Sequence, residues 1–398
     1  MNRPRIVHSL RDKRIRLLAC GGIHTVAVGD DGRVWTWGCN DDGALGRATG
    51  PIDPEDMDKG MRGDENMPAV VDGGGLAGQQ VELVACGDSH TLALTVDGSV
   101  FGWGCYKDKE GRKWFDAQRD NPATFTAKSI KRQQNEPMRI QSLPAGAVTQ
   151  LSCGATFNAC LLRDGQARLW GLGETGELAR KVKGWDATPP ESTMRNGEGD
   201  YLFDQILDQH LTPKAPEMAD GSAPPVFKGI GTGMYHTFLI GTSHTVYASG
   251  LNNYGQLGLN DEFKQEPGKQ PVLVHDKYWQ LRPLKDLEGR GVTKIAGGQH
   301  HSMALAESAA ADDSNPGTIY TWGRSDYGQL GVGDEDIDTG AGDFHNAPIE
   351  VSWRGRGGWR SGRADGTHIY VCLAPLRRFS IFWCAFLYSH TTTLASLS

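Results

Sequence analysis

Four histidines with the same local spacing are the side chains of this 398-residue sequence with the most obvious capacity for chemistry. They stand in Gly21-Gly22-Ile23-His24-Thr25, Gly87-Asp88-Ser89-His90-Thr91, Gly233-Met234-Tyr235-His236-Thr237 and Gly298-Gln299-His300-His301-Ser302. Imidazole serves as a general base or a metal ligand. A catalytic group is not repeated four times in one chain, however, so the recurrence assigns His24, His90, His236 and His301 a structural role: a bond to the backbone of a neighbouring unit. Other chemistries are missing. The eight Cys include no Cys-x-x-Cys pair, so a zinc site is not expected. No nucleophile elbow or phosphate-binding loop is present either. Neither a metal nor a cofactor is expected.

The elements that carry these segments follow from their spacing. A fifth copy, Gly154-Ala155-Thr156-Phe157, has Phe at the His position. The anchors 24, 90, 157, 236 and 301 are 66, 67, 79 and 65 residues apart. Thirteen residues after the anchor comes Trp37, Trp103, Trp170 or Ser249, each followed by Gly. In the last copy Trp322 comes 21 residues on, after a polar loop at Ala309–Gly317. Eight residues further stands Leu45, Leu178, Leu257 or Leu330, in Gly-Ala-Leu-Gly, Gly-Glu-Leu-Ala or Gly-Gln-Leu-Gly.

Alternation within each unit predicts short strands. Thr25–Val28 and Arg33–Trp37 flank Asp30-Asp31-Gly32, and Thr91–Thr95 and Ser99–Trp103 flank Val96-Asp97-Gly98. A further strand precedes each anchor, at Val81–Ala85, Thr149–Ser152 and Val292–Ala296. One small antiparallel sheet cannot bury both its faces, whereas sheets stacked around an axis can. The expectation is an all-β β-propeller with five recognisable repeats. The tryptophans are then inter-blade packing, and Cys20, Cys86 and Cys153 are small buried fillers.

Charge is unevenly placed. The whole chain carries −7, but residues 352–398 hold six Arg, no Lys and a single acid, Asp365, which leaves −12 on the rest. An acidic body attracts basic partners and repels bare nucleic acid. Residues 1–16 reverse this with Arg3, Arg5, Arg11, Lys13, Arg14 and Arg16 against Asp12, as an arm that touches phosphate or simply a solvated terminus. They have no apolar leader run, so reduced thiols inside a cell are expected.

Several motifs are more specific than the period: Trp37-Gly38-Cys39-Asn40-Asp41-Asp42-Gly43-Ala44-Leu45-Gly46-Arg47, Gly87-Asp88-Ser89-His90-Thr91, Gly298-Gln299-His300-His301 and Gly323-Arg324-Ser325-Asp326-Tyr327-Gly328-Gln329-Leu330-Gly331. On these the chain resembles the regulator of chromosome condensation family, over roughly residues 17–351. The resemblance implies a propeller of seven blades and a guanine nucleotide exchange factor for the small GTPase Ran, acting at chromatin in the nucleus. Such a factor catalyses no covalent chemistry. Core histones and DNA are further implied partners, and a monomer with no membrane contact is expected; loss of a targeting tail would leave it cytoplasmic.

The resemblance also gives weight to single residues. After Trp103-Gly104 the Gly-Gln-Leu-Gly element is replaced by Cys105-Tyr106-Lys107-Asp108-Lys109-Glu110-Gly111-Arg112-Lys113. This looks like the family's β-wedge, a hairpin inserted into the GTPase; an ordinary charged loop is the alternative. Tyr106, Lys107, Asp108, Lys109, Glu110, Gly111 and Arg112 are accordingly expected to bind the partner. Asp88 occupies the place of an acidic residue essential for exchange. His300, off the period by one residue, joins Asp88 in the catalytic pair, while His24 and Arg180 match other Ran-facing positions.

Departures accompany the match. A second acidic position of the family falls on Thr156. Five repeats stand where seven are implied, and the chain begins where a first unit is expected to be half complete. An insertion at about 181–227 is expected to lie outside the barrel as a loop, with a helix near Tyr201–His210. The tail 352–398 fits three readings: a mis-spliced or frame-shifted end, a basic Arg/Gly segment for nucleic acid, or a divergent strand filling the barrel gap. A non-catalytic interaction propeller, or an inactive exchange-factor fragment, is the rival function.

Overall fold

The computed structural model describes residues 6–50, 64–115, 131–182, 207–264, 272–307, 317–332 and 344–351. Arg3 and Arg5 of the basic arm, the polar loop at 309–316 and the whole tail 352–398 lie outside these residues.

Five antiparallel sheets follow one another along the chain, each starting from its innermost strand. The first blade is Ile15–Cys20, His24–Gly29, Val34–Gly38 and Ala69–Val70. The second is Val81–Cys86, His90–Thr95, Val100–Gly104 and Gln134–Arg139. The third has three strands, Val148–Cys153, Phe157–Leu162 and Ala167–Gly171. The fourth is Phe227–Thr232, His236–Gly241, Val246–Leu251 and Lys277–Pro283, and the fifth Val292–Gly297, His301–Ala306, Thr318–Arg324 and Phe344–Glu350. The predicted strands are all present to within a residue or two. The expectation of a half-complete first unit is corrected: its sheet has four strands.

The turns explain the strand positions. In the first hairpin Asp31 Oδ1 accepts from Arg33 N at 3.1 Å, and Gly32 takes φ +74°. Asp97 and Asp164 accept in the same way from Ser99 N and Gln166 N. A short acid followed by Gly thus closes each of these turns.

The core is a series of layers between adjacent sheets. Val26, Val28 and Trp103 belong to the layer joining blades one and two. Leu92, Trp170 and Cys160 lie between two and three, Leu169, Leu178 and Leu239 between three and four, and Phe238, Leu257 and Trp322 between four and five. A fully buried side chain of this size contributes about 2–3 kcal/mol, a single hydrogen bond about 1. Burial therefore holds the blades together, and polar contacts fix how they are seated.

Those contacts are the repeated anchors. His24 Nε2 lies 2.9 Å from Thr91 Oγ1 and His236 Nε2 2.9 Å from Ser302 Oγ. Thr91 donates onward to Ala44 O and Ser302 to Gln256 O, so both imidazoles must donate through Nε2. His90 Nε2 donates to Asn158 Oδ1 at 2.8 Å. The expected backbone partner is thus corrected to a side chain, the residue just after the next blade's anchor. A glycine precedes each anchor because a Cβ on Gly87 would lie 1.9 Å from His90 Cε1.

The insertion is also corrected. Residues 183–206 are outside the described set, but 207–211 form a helical turn whose Leu207, His210 and Leu211 are fully buried. Leu207 and Leu211 enter the layer between blades two and three, and Lys214 bridges to Leu169 beside the third strand of blade three. Its carboxyl-terminal end is built into the barrel, because two leucines there supply apolar area that this three-stranded sheet lacks. The first strand takes up Arg16, whose Nη2 donates to Val81 O at 2.6 Å, so this residue ties blade one to blade two. Cys20, Cys86 and Cys153 end inner strands and are half-buried, where full burial was expected.

Candidate functional site

The loops before the second strand and after the third strand of every blade share one rim, since the strands alternate in direction. Backbone bonds tie this rim together near the axis: Gly22 N to Asp88 O, Asp88 N to Ala155 O, Ala155 N to Met234 O and Met234 N to Gly298 O. Asp88 therefore sits at the inner edge of the rim, held by its own main chain from both sides.

The Asp88 carboxylate makes no side-chain hydrogen bond among the described residues, although it is half-buried. It lies over Gly22, where a Cβ would come 2.0 Å from Oδ1. Burial raises its pKa; the charge of Lys107 opposes the rise and that of Asp42 adds to it. A carboxylate fixed this way, with its lone pairs unused, is suited to meet a cation or an N–H donor brought by a partner.

The segment after Trp103-Gly104 is a hairpin, with Tyr106 paired to Trp114 and Lys107 to Lys113. Its root is anchored. Tyr106 has no exposed surface, stacks on Phe115 at 5.8 Å and meets His90 edge-on at 4.7 Å. Lys107 and Lys113 bind the two oxygens of Asp42, at 2.5 and 2.9 Å, from the preceding blade. Burial works against ionisation of Asp42, but bonds from Lys107, Lys113 and Ser89 outweigh it and hold the carboxyl below its usual range.

Asp108 organises the tip. Its Oδ1 accepts from Glu110 N and Arg112 N, and its Oδ2 from Arg112 Nε at 2.7 Å and Trp114 Nε1 at 3.1 Å. Gly111 takes φ +76°, which lets the loop turn back. Lys109, Glu110 and Gly111 are exposed, and Arg112 is partly so.

These positions sort the expected partner-binding residues. Tyr106 and Asp108 are scaffold, because side chains without solvent access cannot touch a partner. Arg180 is corrected likewise: it is buried, with Nη1 on Leu169 O and Nη2 on Gln209 O, and burial lowers its pKa to about 10. His24 is buried as an inter-blade anchor. Lys107, Lys109, Glu110, Gly111 and Arg112 remain at the surface, and the charge of Lys107 reaches Asp88.

His300 belongs to the same rim at the far side of the sheet series. It faces Tyr254 at 4.8 Å and Tyr235 at 6.4 Å, and burial together with the charge of Arg324 lowers its pKa to about 4. Arg324 lies over Tyr254 and Tyr327 and pairs with Asp326. Neither spacing nor resemblance singled out Asp42, Tyr254 or Arg324. A usable signal for Asp42 was its place in Asp41-Asp42-Gly43, one loop away from two lysines that needed a partner. Thr156 stands on the rim between blades two and four, its carbonyl accepting from Leu172 N.

Residues 1–357 match the profile of the RCC1-like domain. The protein pim1 of Schizosaccharomyces pombe is 31% identical over 338 residues, covering 83% of this chain and 51% of that protein. The human regulator of chromosome condensation is 31% identical over 317 residues, covering 79% and 61%. The human E3 ubiquitin-protein ligase HERC2 is 28% identical over 305 residues, which are 5% of its length. Among solved structures, yeast RCC1 (Prp20) bound to Kap60 aligns over 87% of this chain and 66% of its own, with a TM-score of 0.64 at 24% identity. A second Prp20p structure, from work that also describes its binding to Gsp1p and histones, gives 0.62. The chain spans about half to three-fifths of the length of the first two curated relatives.

Proposed function

Because the chain belongs to the RCC1-like domain family, we propose that it is a guanine nucleotide exchange factor for a Ran-type small GTPase, working by non-covalent displacement at the rim that carries Asp88. The observation that supports this most is the pairing of an unbonded, half-buried Asp88 carboxylate with a rigid charged hairpin one strand away. An exchange factor stabilises the nucleotide-free GTPase over the nucleotide-bound form. A release acceleration of about 10⁵ corresponds to roughly 7 kcal/mol of differential stabilisation. One interfacial charge pair supplies about 2–5 kcal/mol, so Asp88 is insufficient alone. The hairpin adds the steric part: its buried Tyr106 root and its Asp108-bonded tip resist bending when pressed against a partner.

His300, with Tyr254 and Arg324, would make a second contact on that rim. Nuclear, chromatin-associated action, and histones and DNA as further partners, belong to this same proposal. Arg16 is taken up by blade one, so phosphate contact falls to the basic residues before it. Thr156, at the place of a second family acid, favours a second reading, a non-catalytic interaction propeller. Titration of Ran loaded with fluorescent GDP separates the two: an exchange factor speeds release in proportion to its concentration, and an adaptor leaves the intrinsic rate unchanged.

A further inference from the structure

The loop that supports the hairpin tip differs in one atom from its counterparts in blades four and five. In the fourth blade Gln256 Oε1 accepts from Tyr254 N at 2.9 Å, and its Nε2 donates back to Asn253 Oδ1 at 3.0 Å. The fifth blade repeats this with Gln329, Tyr327 N and Asp326. The third blade keeps the first bond, Thr175 N to Glu177 Oε2 at 2.7 Å, but Glu177 has an oxygen where Gln carries its N–H donor. The residue three positions earlier, which should receive that donor, is a second acid, Glu174. Glu177 is 2% exposed, and Glu174 Oε1 is buried without a hydrogen-bond partner among the described residues. The backbone N–H of Lys109, at the hairpin tip, faces the Glu174 carboxylate.

We propose that Glu177 is a positioning residue that retains a proton and turns it toward Glu174, taking the place of the glutamine donor and seating Glu174 under the hairpin; release of that proton to solvent sets two carboxylates against each other and unseats the tip. The surroundings agree. Burial, with the charge of Glu174 adding to it, pushes Glu177 up to about 7. Burial likewise raises Glu174; Lys109 opposes this, and Asp108 and Glu110 reinforce it. On the opposite side, His210 Nδ1 accepts from Gly173 N, and from blade four a neutral hydroxyl, Thr237 Oγ1, donates to Glu177 O. Lys109 is the cation that acts on Glu174.

This rests on the hairpin being the element that acts on the GTPase, and its test does not. Amide hydrogen exchange at Lys109, expressed as a protection factor, is followed from pH 6 to 8.5 in the whole chain. Protection should fall at least tenfold in the wild type and stay within twofold in Glu177→Gln, which restores the donor used by blades four and five. Glu174→Gln removes the second charge, so the fall in protection should be lost there as well. A flat wild-type profile, or the same profile in Glu177→Gln, overturns the proposal. Release of nucleotide from Ran is measured alongside and should slow in the wild type as pH rises, with the slope lost in Glu177→Gln. Protection that follows pH as described while release stays at its intrinsic rate upholds the positioning role and removes the exchange reading instead.

Discussion

The Asn158 side-chain N–H donates to the Tyr106 hydroxyl at 2.9 Å, at the place where other joints use a backbone carbonyl. In those joints the residue after the anchor donates to Ala44 O, Glu177 O or Gln256 O, the residue before the loop leucine. The second blade has lost that loop to the hairpin, so no such carbonyl exists. An amide answers the geometry because it accepts from His90 with Oδ1 and donates with Nδ2. The same loss leaves Trp170 Nε1 buried without a partner among the described residues, whereas Trp103 and Trp322 reach Ala44 O and Gln256 O. The hairpin is thus wired into the joint beneath it.

Asn158→Ala should destabilise the protein by about 2–4 kcal/mol, because it strands a buried imidazole donor and the Tyr106 hydroxyl together. Asn158→Thr keeps an acceptor for His90 and should cost only about 1–2 kcal/mol. Urea unfolding of both variants checks the order; equal losses would show that the acceptor for His90 contributes nothing.

Ala179 occupies the left-handed position that Gly46 and Gly258 fill elsewhere, at φ +55°. A Cβ on Gly46 would lie 2.8 Å from Trp103 Nε1, yet here the next blade has Ser249 in place of Trp. Ala179→Gly should therefore stabilise by about 1 kcal/mol. Ser249→Trp should be tolerated better in the Ala179→Gly background than alone, a coupling that a double-mutant cycle reads directly.

Acid should weaken the joints before it disturbs the strands. Burial holds His24 at about 4 and His90 and His236 at about 3, against an ordinary 6.5. The unfolded chain therefore takes up protons first, and stability should fall as pH drops from 6.5 toward 4. Glu177 works in the other direction, costing stability as pH rises from 4.5 to about 7. The three depressed anchors outweigh Glu177 at about 1.36 kcal/mol per pKa unit. The urea midpoint should be lower at pH 4.5 than at pH 7, and His236→Gln should flatten that difference.

Asp42 gathers Lys107 and Lys113 on one buried carboxylate. Asp42→Asn removes the charge and should cost about 1–3 kcal/mol. It should also loosen the hairpin, so that limited proteolysis cuts after Lys107, Lys109 or Arg112 sooner than in the wild type. Unchanged cleavage would mean that the aromatic root alone holds the hairpin.

Much of the fold was legible because the repeat leaves marks at fixed distances. Anchors, glycines and loop leucines located all five sheets and the missing loop after Trp103. Thr25, Thr91, Asn158, Thr237 and Ser302 follow the anchors and are all polar, a recurrence that marks a side-chain acceptor at the joint. Burial of Tyr106, Asp108 and Arg180 was not legible, since charge and polarity suggest solvent and only the packed neighbours decide otherwise. The fourth strand Ala69–Val70 and the inserted Leu207 and Leu211 carry no repeat signature, so nothing local announced their place.

The central claim is that the rim carrying Asp88 and the hairpin opens a nucleotide-bound GTPase. Release of fluorescent GDP from Ran, measured with the wild type, with Asp88→Ala and with Lys109–Gly111 replaced by a short glycine turn, tests it most directly. The wild type should accelerate release, and each variant should lose at least tenfold while keeping its urea midpoint. Release at the intrinsic rate with the wild type, or at the wild-type rate with both variants, contradicts it.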